Sequence, residues 1–252
     1  MKAKRVEITA SILTLALTVA MSGCSVSINL NNKKKEETTD SADDTKVATQ
    51  EEAEAAGFSD GTDASDSKTV DLKDDSTDVL LDTSEELTGT HHAEIIVKDY
   101  GTIDVELDAD TAPITVTNFV KLAQEGFYDG LTFHRIMDGF MIQGGDPNGN
   151  GTGGSDENIK GEFSNNGVEN DISHTRGTIS MARANDPDSG SSQFFIVQSD
   201  STFLDGDYAG FGHVTSGMDI VDKICKDAKP TDNNGTIPAD EQPVIETVKI
   251  TD

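Results

Sequence analysis

Tryptophan is absent from this 252-residue chain, cysteine occurs twice and proline six times. Aromatic residues make up only 5%. Two cysteines, Cys24 and Cys225, cannot build a disulfide framework, so the fold must rest on packing. Basic residues are scarce: 19 Lys and Arg stand against 47 Asp and Glu, a formal net charge of −28. Nucleic-acid binding needs a basic footprint on the phosphate backbone, and this composition excludes it. Anionic lipid headgroups would repel the same surface. The apolar stretch from Ile8 to Ala20 falls short of the roughly 20 residues that span a bilayer.

That stretch follows Lys2, Lys4 and Arg5, the layout of a secretory signal peptide. Met21-Ser22-Gly23-Cys24 comes next and resembles the lipobox of bacterial lipoproteins, with Met where Leu is usual. The resemblance implies that residues 1–23 are removed and that Cys24 carries acyl chains such as palmitate. The chain would then be anchored through Cys24 on the outer side of a bacterial cell membrane. Cys225 would remain alone, a small apolar residue of a helix. Residues 24–90 read as an acidic, disordered spacer with Phe58 as their one aromatic, with packing of residues 78–88 on the domain left open as an alternative.

The character changes at His91, where the folded domain, 91–252, is expected to begin. Ala93–Lys98 and the alternating Thr102–Leu107 read as a β-hairpin. Pro113 suits a first helical turn, Val116, Phe119, Val120 and Ala123 share one helical face, and Gly126 suits the stop. From Gly130 to Gly212 short apolar runs alternate with turn residues, the pattern of a barrel or sandwich. A second amphipathic helix fits Met218–Ile224, and Val244–Ile250 reads as a final strand near the first hairpin.

Two segments carry more information: Phe133-His134-Arg135-Ile136-Met137-Asp138-Gly139-Phe140-Met141-Ile142-Gln143-Gly144-Gly145-Asp146, and Gly177-Thr178-Ile179-Ser180-Met181-Ala182-Arg183-Ala184 followed by Ser191-Ser192-Gln193-Phe194-Phe195-Ile196. Gly151-Thr152-Gly153-Gly154 lies between them, and Phe203-Leu204-Asp205-Gly206 and Phe211-Gly212 come after. In order and spacing these resemble the cyclophilins, peptidyl-prolyl cis–trans isomerases, over about residues 92–252. The resemblance implies a mainly β fold, a closed eight-stranded antiparallel barrel capped by two α-helices. Side chains fill the interior of so small a barrel, which puts any site on its outer face.

Rotation of an X–Pro amide needs no metal, no cofactor and no nucleophile. It needs a donor where the prolyl nitrogen regains its lone pair, an apolar slot for the ring and a grip on the flanking backbone. The family resemblance assigns these roles. Arg135 matches the catalytic arginine, while Phe140, Met141, Phe195 and Leu204 match the proline pocket. Gln143 matches a residue that orients Arg135 and touches substrate, and Gln193 matches another substrate contact. Ala182, Arg183 and Ala184 match the stretch whose backbone holds the peptide. Phe203 stands where many eukaryotic members have Trp, Arg183 where Asn is common, and Tyr208 where His is frequent. The implied partners are Pro-containing unfolded or nascent exported polypeptides, met by a monomer.

Other readings fit less well. Gly149–Gly154 matches a dinucleotide fingerprint in form, but no apolar helix follows it. His91, His92, His174 and His213 lack metal-ligand spacing. A solute-binding lipoprotein would need two lobes. The alternative from another class is a cyclophilin-like binding module for one Pro-containing partner, with catalysis incidental.

Overall fold

The first hairpin pairs β1 (Thr90–Val97) with β2 (Gly101–Asp108), Ile95 opposite Ile103. Alternation sends Ala93, Ile95, Val97, Ile103, Val105 and Leu107 inward, as period two requires. The computed structural model describes Leu81 and residues 83–252. The expected signal segment, Cys24 and most of the expected 24–90 spacer lie outside the described residues. Leu81 and Leu87, which composition groups with the spacer, pack against the core, and Leu87 N–H donates to Thr117 Oγ1 at 2.8 Å. The packed unit therefore extends N-terminally of His91.

Helix α1 (Pro113–Gln124) buries Val116, Phe119, Val120, Leu122 and Ala123. Its N-cap residue, Ala112, has no side chain that can cap. The cap comes from 47 residues away. The Glu162 carboxylate, 2% exposed, accepts Ile114 N–H at 3.0 Å, Thr115 N–H at 2.7 Å and Thr115 Oγ1–H at 2.6 Å. An anion there also meets the positive end of the helix dipole.

The remaining elements are β3 (Phe133–Met137), β4 (Met141–Gly144), β5 (Thr178–Met181), β6 (Phe194–Val197), β7 (Gly210–Ser216), α2 (Met218–Asp227) and β8 (Ile245–Ile250). They form one antiparallel sheet of eight strands in the order β3-β4-β6-β5-β7-β2-β1-β8. Short bonds bridge the seam between its end strands: Phe133 N–H to Pro243 O at 2.9 Å, and Ile245 N–H to Leu131 O at 2.8 Å. The interior is filled. Phe119 sits 5.2 Å from Tyr128, 5.5 Å from Phe194 and 5.4 Å from Phe211, centroid to centroid.

At the Gly144-Gly145 pair the second glycine is obligatory. Gly145 has φ +83°, and a Cβ there would lie 2.4 Å from Ser192 O. A register shift falls in β3, between Phe133 and Arg135. Strict alternation would put both on one face. The extra residue breaks that parity, so Phe133 and Ile136 enter the barrel core while Arg135 is released to the outer side. His134 occupies the bulge, 4% exposed, and neither ring nitrogen has a hydrogen-bond partner among the described residues. Burial pushes its pKa down to about 4, against the opposing pull of Asp146.

Two outcomes follow from these buried groups. Glu162→Gln should lower the unfolding free energy by about 2 kcal/mol, read by urea titration, because a charge-assisted cap becomes a weaker neutral one. A stability equal to wild type would show that the cap is dispensable. For His134 the folded pKa lies below the unfolded value, so the unfolded chain binds the extra proton and stability falls as pH drops from 6.5 towards about 4. Between pH 7 and pH 5 its share is about 2 kcal/mol. His134→Leu should show that much less loss over this interval; an unchanged pH slope would refute the assignment.

Candidate active site

The bulge has a lateral consequence. Arg135 pairs with Gln143, Gln143 with Phe195, and Phe195 with Ser180, so four side chains form one row across β3, β4, β6 and β5. Met137, Met141 and Val197 make the adjacent row. Along these strands Ile142, Phe194, Ile196 and Ile179 point the other way, into the barrel core. The outward residues belong to a second apolar cluster of Phe140, Met141, Ala182, Phe195, Val197 and Leu204, with Met137, Phe203 and Tyr208 packed against it. Every apolar residue assigned to the proline pocket is in this cluster.

Arg135 is 8% exposed and held from several sides. Its Nε donates to Asn234 O at 2.7 Å, and Nη1 donates to Gln143 Oε1 at 3.1 Å. Nη2 meets the thioether of Met137 at 3.3 Å, a weak acceptor. The Phe140 ring centroid lies 5.9 Å from the guanidinium carbon. Gln143 Nε2 donates onward to Gln193 Oε1 at 2.9 Å, and Gln193 Nε2 to Gly153 O at 2.7 Å. The two glutamines thus form one chain that ends on backbone, which fixes the orientation of both amides and of Arg135.

The far wall depends on a residue that sequence reasoning left aside. His174 is fully buried, with Nδ1 2.9 Å from Asp205 Oδ1 and Nε2 2.9 Å from Ser180 Oγ. Its ring stacks on Phe195 at 5.9 Å and meets Tyr208 edge-on at 6.4 Å. Burial holds the imidazole below its usual pKa, although the Asp205 carboxylate pulls upward. Partial burial pushes the Asp205 carboxyl up, but the donors Ser173 Oγ, His174 N–H and the His174 ring outweigh it, so its pKa is lowered. Asp205 thereby ties down the turn that presents Phe203, Leu204 and Tyr208. Phe203 closes on Phe140 at 5.7 Å.

At the opposite rim Gln198 grips the β3–β4 turn. Its Oε1 accepts Gly139 N–H at 2.5 Å and its own N–H donates to Phe140 O at 2.8 Å. Arg176 donates to Gln198 O at 2.7 Å and pairs with Asp222 of α2 through two bonds of 2.8 Å.

Ala182, Arg183 and Ala184 run along the edge of the cluster. Ala182 N–H donates to Gln193 O at 2.9 Å, and Ala184 N–H donates to Ser189 Oγ at 2.9 Å. Between them the N–H and C=O of Arg183 have no partner among the described residues. The Arg183 side chain lies half-buried at the edge of the site. It folds over Tyr208, its guanidinium carbon 4.8 Å from that centroid. The structure thus brings all of the expected site residues within its described part to one outer face.

Comparison with known proteins points the same way. The family model for cyclophilin type peptidyl-prolyl cis-trans isomerases matches residues 92–252. A Helicobacter pylori peptidyl-prolyl cis-trans isomerase is 45% identical over 159 residues, covering 62% of this chain and 88% of that protein. Peptidyl-prolyl cis-trans isomerase B of Bacillus subtilis is 49% identical over 125 residues, 50% of this chain and 84% of its own. A crystal structure of a Cryptosporidium parvum cyclophilin type isomerase, in the presence of the dipeptide Ala-Pro, superposes with a TM-score of 0.57 at 30% identity, covering 64% of this chain and 99% of that one. With a family model matching residues 92–252, well over half of its length, the chain belongs to the cyclophilin-type peptidyl-prolyl cis–trans isomerases.

Proposed function

We propose that this isomerase turns the X–Pro amide on the outer face of its barrel, with the prolyl ring against Phe140, Met141, Phe195 and Leu204 and the Arg135 guanidinium at the rotating bond. The juxtaposition of an anchored guanidinium and a separate apolar cluster on one face carries this reading. The uncatalysed barrier is roughly 18–20 kcal/mol, set by amide resonance. Resonance is lost at the twisted geometry and the prolyl nitrogen regains its lone pair. A donor already fixed there stabilises the twisted state more than either planar one. Nε and Nη1 of Arg135 remain anchored to Asn234 and Gln143, while exchange of the weak Met137 sulfur contact for the prolyl nitrogen or the adjacent carbonyl costs little. The bond rotates and no covalent intermediate forms.

The unpartnered N–H and C=O of Arg183 suit an extended peptide backbone, with Ala182 and Ala184 shaping the channel on either side. Gln143 and Gln193 offer polar contacts to the same peptide, and Phe203 and Tyr208 wall the ring in. The Ala-Pro dipeptide present with the Cryptosporidium parvum relative supports the substrate class. The sequence before the domain supports an exported setting: a signal segment, then Cys24 as lipid attachment point, then an acidic spacer that holds the barrel away from the headgroups. Substrates are then Pro-containing exported polypeptides whose folding waits on isomerisation.

Arg135→Ala should lower kcat/KM on a short X–Pro peptide by about 100-fold or more with the fold intact by circular dichroism. Arg135→Lys should recover only part, since an ammonium lacks the planar fork that spans the Asn234 carbonyl and the Gln143 amide. Full turnover by Arg135→Ala would remove the arginine from the mechanism. Cys24→Ser should move the protein from the membrane fraction to the soluble fraction of the cells that make it. Retention in the membrane would refute the lipid anchor.

A further inference from the structure

Arg183 has a side chain that the isomerisation chemistry leaves unused. Its Nε donates to Asp207 O at 2.8 Å and its Nη1 to Ala184 O at 2.8 Å. The guanidinium carbon lies 4.8 Å from the Tyr208 ring centroid and 5.2 Å from that of Phe163. Two backbone carbonyls and two aromatic faces therefore fix the cation in place, half-buried. None of these partners carries a formal charge, and Arg183 is in no ion pair among the described residues.

This is unusual on such a surface. Residues 91–252 carry 10 Lys and Arg against 28 Asp and Glu. The carboxylates around Arg183 are turned to other donors: Asp207 to Asn165, Asp188 to Gly161 N–H and Asn166, Asp186 to Asp188 N–H, and Asp205 to His174 and Ser173. The uncompensated charge adjoins the pocket, because Tyr208 lies edge-on to Phe195 at 5.8 Å. It also belongs to the residue whose unpartnered N–H and C=O are proposed to meet the peptide backbone.

We propose that Arg183 is a specificity-determining residue that accepts an acidic side chain of the substrate, at the register where the peptide backbone passes its own N–H and C=O. The proposal rests on the placement of the substrate given above. Across the rest of the surface the acidic field favours cationic peptides. At ionic strength near 0.15 M that field is screened beyond about 8 Å, so the contact at Arg183 is felt locally. Pinning matters here, since a cation already held by carbonyls and rings loses little further freedom when a carboxylate arrives.

The test uses the purified full chain and a peptide set with one X–Pro bond and Glu, Gln or Lys at each flanking position in turn. Isomerisation and binding are both read by NMR exchange on the same samples. At one register the Glu-to-Lys ratio of kcat/KM should exceed that at the other registers by about two- to fivefold, the range of a partly exposed ion pair. In Arg183→Gln that excess should vanish, in Arg183→Lys part of it should return, and added salt should shrink it in wild type. An equal ratio at every register, or an excess that persists in Arg183→Gln, would overturn the proposal. Absence of turnover on every peptide would overturn the catalytic placement instead, and the affinity ratios would still decide the charge preference.

Discussion

A barrel this small is full. Once Phe119, Tyr128, Phe133, Phe194 and Phe211 occupy the interior, no cavity remains there for a substrate ring. A binding surface must then be made from the opposite faces of the same strands, where alternation would otherwise place solvated polar residues. β3, β4 and β6 do this by carrying apolar residues on both sides, and β5 adds Ser180 to the outward row. The inward set makes the core, and the outward set makes the cluster around Phe195. The β3 bulge completes the arrangement by placing a cation in the outward row without removing an aromatic from the inward one.

A charged guanidinium beside an apolar slot is tolerable only with its donors satisfied. The structure meets that demand with neutral acceptors: Asn234 O, Gln143 Oε1 and thioether sulfur. In the proposed role, a carboxylate would have bound Arg135 more tightly and made it harder to redirect towards an amide. The Gln143–Gln193–Gly153 chain supplies rigidity without adding charge. His174 and Asp205 do the corresponding work at the far wall, where a buried imidazole with both nitrogens bonded fixes the seat of two aromatic rings.

Much of the fold was legible in the sequence because its elements announce themselves locally. The hairpin, the helix from Pro113, the helix from Met218 and the last strand follow from period and punctuation. The outer-face cluster was legible only through resemblance, since Phe140, Met141 and Phe195 look like any other core residues. What escaped is what depends on register or on backbone. Nothing local distinguishes the bulge at His134 from continuous strand. Asn234 contributes a carbonyl, which every residue has, and Glu162 caps a helix 47 residues away. His174 was set aside because it lacks metal-ligand spacing, while its actual partners, Asp205 and Ser180, come from separate segments. Composition alone could not decide whether Leu81 and Leu87 pack on the core, because they sit in an acidic stretch; they do.

The sheet order carries a consequence for assembly. Among the described strands, β1 comes first in chain order and lies between β2 and β8, the latest of them. Asp252 at the end of the chain receives His92 N–H and the His91 ring beside that same strand. During synthesis from the N-terminus, one edge of β1 stays unpaired until β8 is made. Contacts of this sequence separation are slow to form, because the closure entropy of the intervening chain comes first. An enzyme of proline-limited folding is thus itself a late-closing fold, and until β8 docks its own first hairpin presents an open edge to other chains.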